Sequence, residues 1–193
     1  MKKVAVLIYP KFCNFEISVA LEMLAIAEKG ITIFAKNNEP IKSEEGLSVV
    51  CDLTIDKLNI DDYDSLILPG NMDLRPIITD KETMDFIKKY DRPDMKIGAI
   101  SSSPMLLLKN GMLDNKKFLA GVDKEWFIEE GFTYEDMKNM IDVPMLFKNP
   151  IPEGYVKDGN IITSVAWHFR EWAMEFGRML GLEVFPKSYG LEK

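Results

Sequence analysis

One histidine and two cysteines in 193 residues are the scarcities that exclude most. A single imidazole, His168, rules out a multi-histidine metal site built within one chain. Cys13 and Cys51 lie far apart in sequence and show no metal-ligand spacing, so a disulfide framework is not expected. Reduced thiols in a cytoplasmic protein are expected instead. No metal and no cofactor is implied. Basic residues are also in deficit, with 24 Lys and Arg against 31 Asp and Glu. The resulting net charge of -7 argues against nucleic acid or an anionic membrane as partner, since both require clustered cations. No apolar run approaches the roughly 18 residues of a membrane span. The opening MKKVAVLIYP has the charge of a leader, but its apolar stretch stops at Pro10 with no small-residue cleavage pattern, so a first strand is the better reading. Repeats, low-complexity tracts and linkers are missing too, so residues 1–193 are expected to form one domain.

What is present alternates between short apolar runs and helix-period segments. Lys3 to Tyr9 is a continuous apolar strand of the kind buried on both sheet faces. A helix is expected over Asn14 to Lys29, with Asn14 as N-cap and Gly30 as terminator. Ile31–Ala35, Ser65–Leu68 and Lys96–Ile100 read as further strands, and Gly46–Leu53 as a short strand or arm containing Cys51. Helices are expected over Lys81–Tyr90 and from Pro104 to Lys109. Leu113 to Pro152 has the weakest periodicity and reads as short helices and turns. Tyr155 to Val165 is a hairpin turning at Asp158-Gly159-Asn160, and a last amphipathic helix spans His168 to Leu180. This order predicts an α/β fold, flavodoxin-like and doubly wound, with a mostly parallel sheet and helices on both faces. Ligands of such folds sit beyond the C-terminal strand ends, here Tyr9, Leu68 and Ile100.

Three of those ends carry chemistry. The strand Lys96–Ile100 runs through Ser101-Ser102-Ser103 into a helix, and such a sharp turn holds one side chain upright beside free backbone amides. Leu68-Pro69-Gly70-Asn71 ends the neighbouring strand, with Gly70 allowing close backbone approach. Phe12-Cys13-Asn14-Phe15-Glu16 delivers Glu16 to the first turn of a helix. The Ser101–Ser103 run has no P-loop lysine, so it is not read as a phosphate cradle. Asp61, Asp62 and Asp64 read as a solvated turn, and Trp126, Trp167 and Trp172 as core or subunit packing.

With LPGN, GAISSSP followed by LLLKNGML, DGNIITS before the last helix, and the early Glu16, nearly the whole chain resembles the ThiJ/PfpI superfamily, which has a class I glutamine amidotransferase-like fold. The resemblance implies that the reactive cysteine of the elbow falls on Ser101 and its hydrogen-bonding glutamate on Glu16. The oxyanion amides fall on Gly70 or Asn71 and on Ser102. It also implies a homodimer, a small-molecule substrate or ligand, and activities such as deglycase or glyoxalase chemistry, peptidase-like hydrolysis, isocyanide hydration or a stress-response role. The chain departs from the family pattern in the serine, in Asn71 for a second glycine, and in Phe118–Val122, where a histidine is often found. A serine needs a general base where a cysteine forms a thiolate. The leading expectation is therefore a pseudoenzyme-like site, without thiol chemistry, that binds a small carbonyl-bearing or anionic ligand. The alternative is a serine-dependent hydrolase, hydratase or glyoxalase. Cys13, Trp167 and His168 are candidates for the pocket rim. His168 is either the missing base or a solvent or subunit contact, and Cys13 is either a pocket thiol or a structural one.

Overall fold

A computed structural model describes residues 2–192. The chain begins with β1 (Lys3–Leu7), α1 (Asn14–Ile26) and β2 (Ile31–Ala35). A small antiparallel ribbon follows, β3 (Ile41–Lys42) against β4 (Ser48–Val49), and then the two-residue β5 (Leu53–Thr54). β6 (Tyr63–Leu68), α2 (Arg75–Ile78), α3 (Lys81–Lys88), β7 (Lys96–Ile100) and α4 (Pro104–Lys109) form the middle. After them come β8 (Phe118–Leu119), α5 (Glu125–Ile128), β9 (Met140–Ile141), α6 (Val143–Lys148), β10 (Tyr155–Asp158), β11 (Ile161–Ser164) and α7 (Phe169–Met179). The main sheet has the order β10-β11-β7-β6-β1-β2-β5. Every pairing in it is parallel except β10 with β11. The chain adds β2 on one side of β1 and later returns to add β6 on the other, which is the reversal of a doubly wound sheet.

Helices cover both faces, and the strand alternation shows how. Gly98 is in register with Ile67, and Ile67 with Val6. A methyl group at Gly98 would meet Trp172 and Phe176 of α7 at 2.8 and 3.0 Å, so this face lies under α7, which also packs on α1. Val6 pairs with Ile33, so the next residue, Phe34, points to the opposite face. There its ring stands 5.2 Å from Phe86 of α3. The central strands are buried almost throughout, as their unbroken apolar runs require.

The helix boundaries differ from the sequence reading in one place that matters. Asn14 is the first helical residue rather than the cap, and the free amides of Asn14 and Phe15 are met by the Glu45 carboxylate at 3.2 and 3.0 Å. Glu45 reaches them from the loop between β3 and β4, a tertiary cap that no local pattern announces. The far end turns at Glu28, which has φ +53, rather than at Gly30. Cys51 lies between β4 and β5 rather than in a strand, and its thiol donates to the Asn37 carbonyl. Asp64 is a strand residue ion-paired at 2.5 Å with the buried Lys29, while Asp61 and Asp62 form the exposed turn. The region read as irregular also holds a parallel bridge, β8 with β9.

Candidate active site

Ser101 follows β7 directly and has φ +62, the left-handed region that a non-glycine residue enters only under constraint. Both of its peptide groups are held. Its N–H donates to the Ser164 carbonyl at the end of β11 (2.8 Å), and its C=O accepts from the Gly121 N–H (2.7 Å). Gly121 is a glycine because there is no room for more: a methyl group there would stand 3.0 Å from Ser101 Cα. The turn is therefore clamped from two sides, and the Ser101 side chain stands up into a cavity of about 710 Å3.

The other two serines of the run are structural. Ser103 is fully buried, accepts from the Ile100 N–H (2.9 Å) and lies 2.8 Å from the carbonyl oxygens of Leu68 and Ile100. It thereby ties the ends of β6 and β7 together. The Ser102 hydroxyl accepts from the Asn71 N–H and donates to the Asn71 carbonyl, both at 2.9 Å. The Asn71 side chain is also occupied: its Nδ2 donates to the Pro10 carbonyl and its Oδ1 accepts from the Asp73 N–H, both at 2.6 Å.

Glu16, in the first turn of α1, is 1% exposed and sits on the cavity floor. Its Oε2 accepts from the Gly70 N–H at 2.6 Å. A methyl group at Gly70 would stand 2.5 Å from that oxygen and 2.6 Å from Ser101 Cβ, so it is space, not backbone angle, that requires glycine here. Burial pushes the Glu16 carboxyl up to about 7, opposed by the Gly70 N–H and by the side chains of Ser101 and Cys13. Cys13, buried on the same wall, is held protonated by burial and by the charges of Glu16 and Glu44. It is a poor nucleophile in this setting.

Strand ends thus bring together Ser101, Ser102, Gly70, Asn71, Glu16 and Cys13. The amides of Gly70 and Asn71 are already engaged, by Glu16 and Ser102, while the Ser102 N–H has no partner among the described residues. Trp167 and His168 do not line the cavity, whose nearest wall residue from that segment is Ala166. Trp167 is half exposed and stacks on Phe147. The His168 ring lies against Gly154, with Nδ1 3.5 Å from Glu171 and no hydrogen bond to Ser101. The 3₁₀ turn at Ala166–His168, invisible to a periodicity argument, is what carries them away. Trp126 departs from its expected packing role as well: it is 72% exposed and forms part of the cavity wall. Trp172 is the buried core residue expected. A second cavity, of about 810 Å3, lies by the ends of β1 and β2 and is lined by neither serine nor cysteine.

A family model described as the DJ-1/PfpI family matches residues 2–179. The chain belongs to the DJ-1/PfpI family. Among its relatives, a deglycase of Pyrococcus horikoshii is 25% identical over 159 residues, covering 80% of this chain and 86% of the relative. An isonitrile hydratase of Pseudomonas putida is 21% identical, over 83% of this chain and 64% of its own. The crystal structure of a DJ-1 superfamily protein from Agrobacterium tumefaciens superposes with a TM-score of 0.78 at 20% identity, covering 98% of this chain and 95% of the other. That of Drosophila melanogaster DJ-1beta does so with 0.73 at 22%, covering 94% and 92%. The DJ-1/PfpI fold, with its flavodoxin-like sheet, is shared along essentially the full length.

Proposed function

We propose that this DJ-1/PfpI protein carries serine in the position of the family's nucleophilic cysteine, has thereby lost thiol chemistry, and binds a small carbonyl-bearing molecule over Ser101. The observation that carries this reading is the engagement of the Gly70 and Asn71 amides, which leaves one backbone donor, that of Ser102, for a developing oxyanion. Losing a single such donor lowers turnover by about 10²–10³ in well-studied hydrolases. A serine hydroxyl without an imidazole adds a further barrier. The anionic ligand that the sequence also allowed finds no support in the wall, where Arg75 faces six carboxylates. No cofactor enters the reading. The protein is proposed to act in the cytoplasm as a homodimer, an assembly supported by the exposed Leu47, Val50 and Leu53 beside the edge strand β5. Among the described residues, no helix is long and apolar enough to cross a membrane.

One observation favours the second reading, serine-dependent catalysis. A carboxyl near pKa 7 is a competent base at neutral pH. Glu16 would take the Ser101 proton as Oγ bonds to the carbonyl carbon, and the C=O electron pair would move to the oxygen facing the Ser102 N–H. Methylglyoxal consumption by the wild type, Ser101→Ala and Ser101→Cys separates the two. Turnover by Ser101→Cys alone is expected. Wild-type turnover that disappears in Ser101→Ala would establish the serine as a working nucleophile and overturn the binding reading.

A further inference from the structure

We infer that the molecule held in this cavity carries a positive charge beside its carbonyl: a small organic cation of the amine, guanidinium or quaternary-ammonium kind. The inference rests on the reading that a carbonyl ligand faces Ser101, and it names the class of that ligand. The elbow and the cavity define the site; the charge and the aromatic surface of its wall decide what enters.

Above the floor, the wall carries Glu44, Asp73, Glu125, Glu129 and Glu130, and among the described lining residues the one cation is Arg75. Arg75 is itself committed. It holds Asp73 through two bonds of 2.7 and 2.8 Å, which neutralises that pair, and it lies 4.0 Å from Glu130. Glu44, Glu125 and Glu129 form no ion pair with any described residue. A concave wall with carboxylates of one sign concentrates cations and excludes anions. The second feature is Trp126, an indole left 72% exposed at the mouth. An exposed indole amid carboxylates is the surface on which an alkylammonium or guanidinium group is held by ring quadrupole and charge together. A neutral apolar ligand would gain from the ring but not from the carboxylates, and an anionic one would be repelled by both.

The test is a ligand series of matched shape read by calorimetry: acetonyltrimethylammonium, its neutral carbon isostere neopentyl methyl ketone, and anionic levulinate, with tetramethylammonium as a cation without a carbonyl. Acetonyltrimethylammonium is expected to bind about tenfold tighter than the neutral isostere. That advantage is expected to shrink at high salt. It is also expected to fall in Trp126→Leu and in the Glu125→Gln/Glu129→Gln double variant, both exposed changes that leave the core intact. Equal or tighter binding of the neutral ketone or of levulinate would overturn the inference while leaving the carbonyl reading standing. Equal binding of the two cations, unchanged in Ser101→Ala, would uphold the charge preference and sink the carbonyl reading. No binding by any of the four ligands overturns both.

Discussion

Glu16 is where a single residue links the site to the stability of the whole chain. Its folded pKa of about 7 lies above the ordinary 4.5, so the folded state binds more protons than the unfolded one between those values. Stability therefore falls as pH rises from about 4.5 to 7 and stays reduced above that. A shift of that size corresponds to about 3 kcal/mol for a group this buried. Thermal melts from pH 4.5 to 8 are expected to show this slope in the wild type and to lack it in Glu16→Gln; identical slopes would show that Glu16 does not titrate there. Ser102 offers a second test. Its hydroxyl satisfies both peptide groups of Asn71, so Ser102→Ala is expected to destabilise by about 1–3 kcal/mol. It also releases the Asn71 N–H. Methylglyoxal turnover by Ser101→Cys/Ser102→Ala is expected to exceed that of Ser101→Cys by about tenfold or more, because a donor returns to the oxyanion. Equal rates would show that the Asn71 amide does not face the reacting oxygen.

Among the elements, β7 packs against α7 at Gly98, where an added Cβ would stand 2.8 Å from Trp172. Gly98→Ala is expected to lower stability by about 1–3 kcal/mol through overpacking against Trp172 and Phe176, measured by denaturant midpoint. The α6 cap is a milder case: the Asp142 carboxylate accepts from the Met145 N–H at 3.0 Å, and Asp142→Ala is expected to cost about 1 kcal/mol. The strands β1, β2, β6, β7 and β11 were legible in the sequence because continuous apolar runs bounded by polar turns have few other solutions in an α/β chain. The elbow was legible for a similar reason: a strand running through small residues into a proline-initiated helix marks where a side chain stands upright. The wall was not. Glu44 reaches the cavity from the β3–β4 ribbon and Trp126 from a four-residue helix, and neither segment has a periodicity that fixes its place. Hydrogen-bond partners were beyond reach as well, and so the engaged amides of Gly70 and Asn71 and the tie made by Ser103 appear only in three dimensions.

At the scale of the molecule, the β3–β4 ribbon both caps α1 through Glu45 and leaves Leu47 and Val50 exposed. On the dimer proposal, light scattering is expected to give about twice the 22.1 kDa chain mass. Leu47→Asp/Val50→Asp is expected to return it to the monomer without changing the melting of α1; a wild-type monomer would retire the proposal. The left-handed turn at Ser101 has a different kind of consequence. Any residue with a Cβ is strained by about 1 kcal/mol at φ +62, and glycine is not. Ser101→Gly is therefore expected to raise the melting temperature. On the proposed reading, that strain is what holding a hydroxyl over the ligand costs the chain, a trade-off between durability and use.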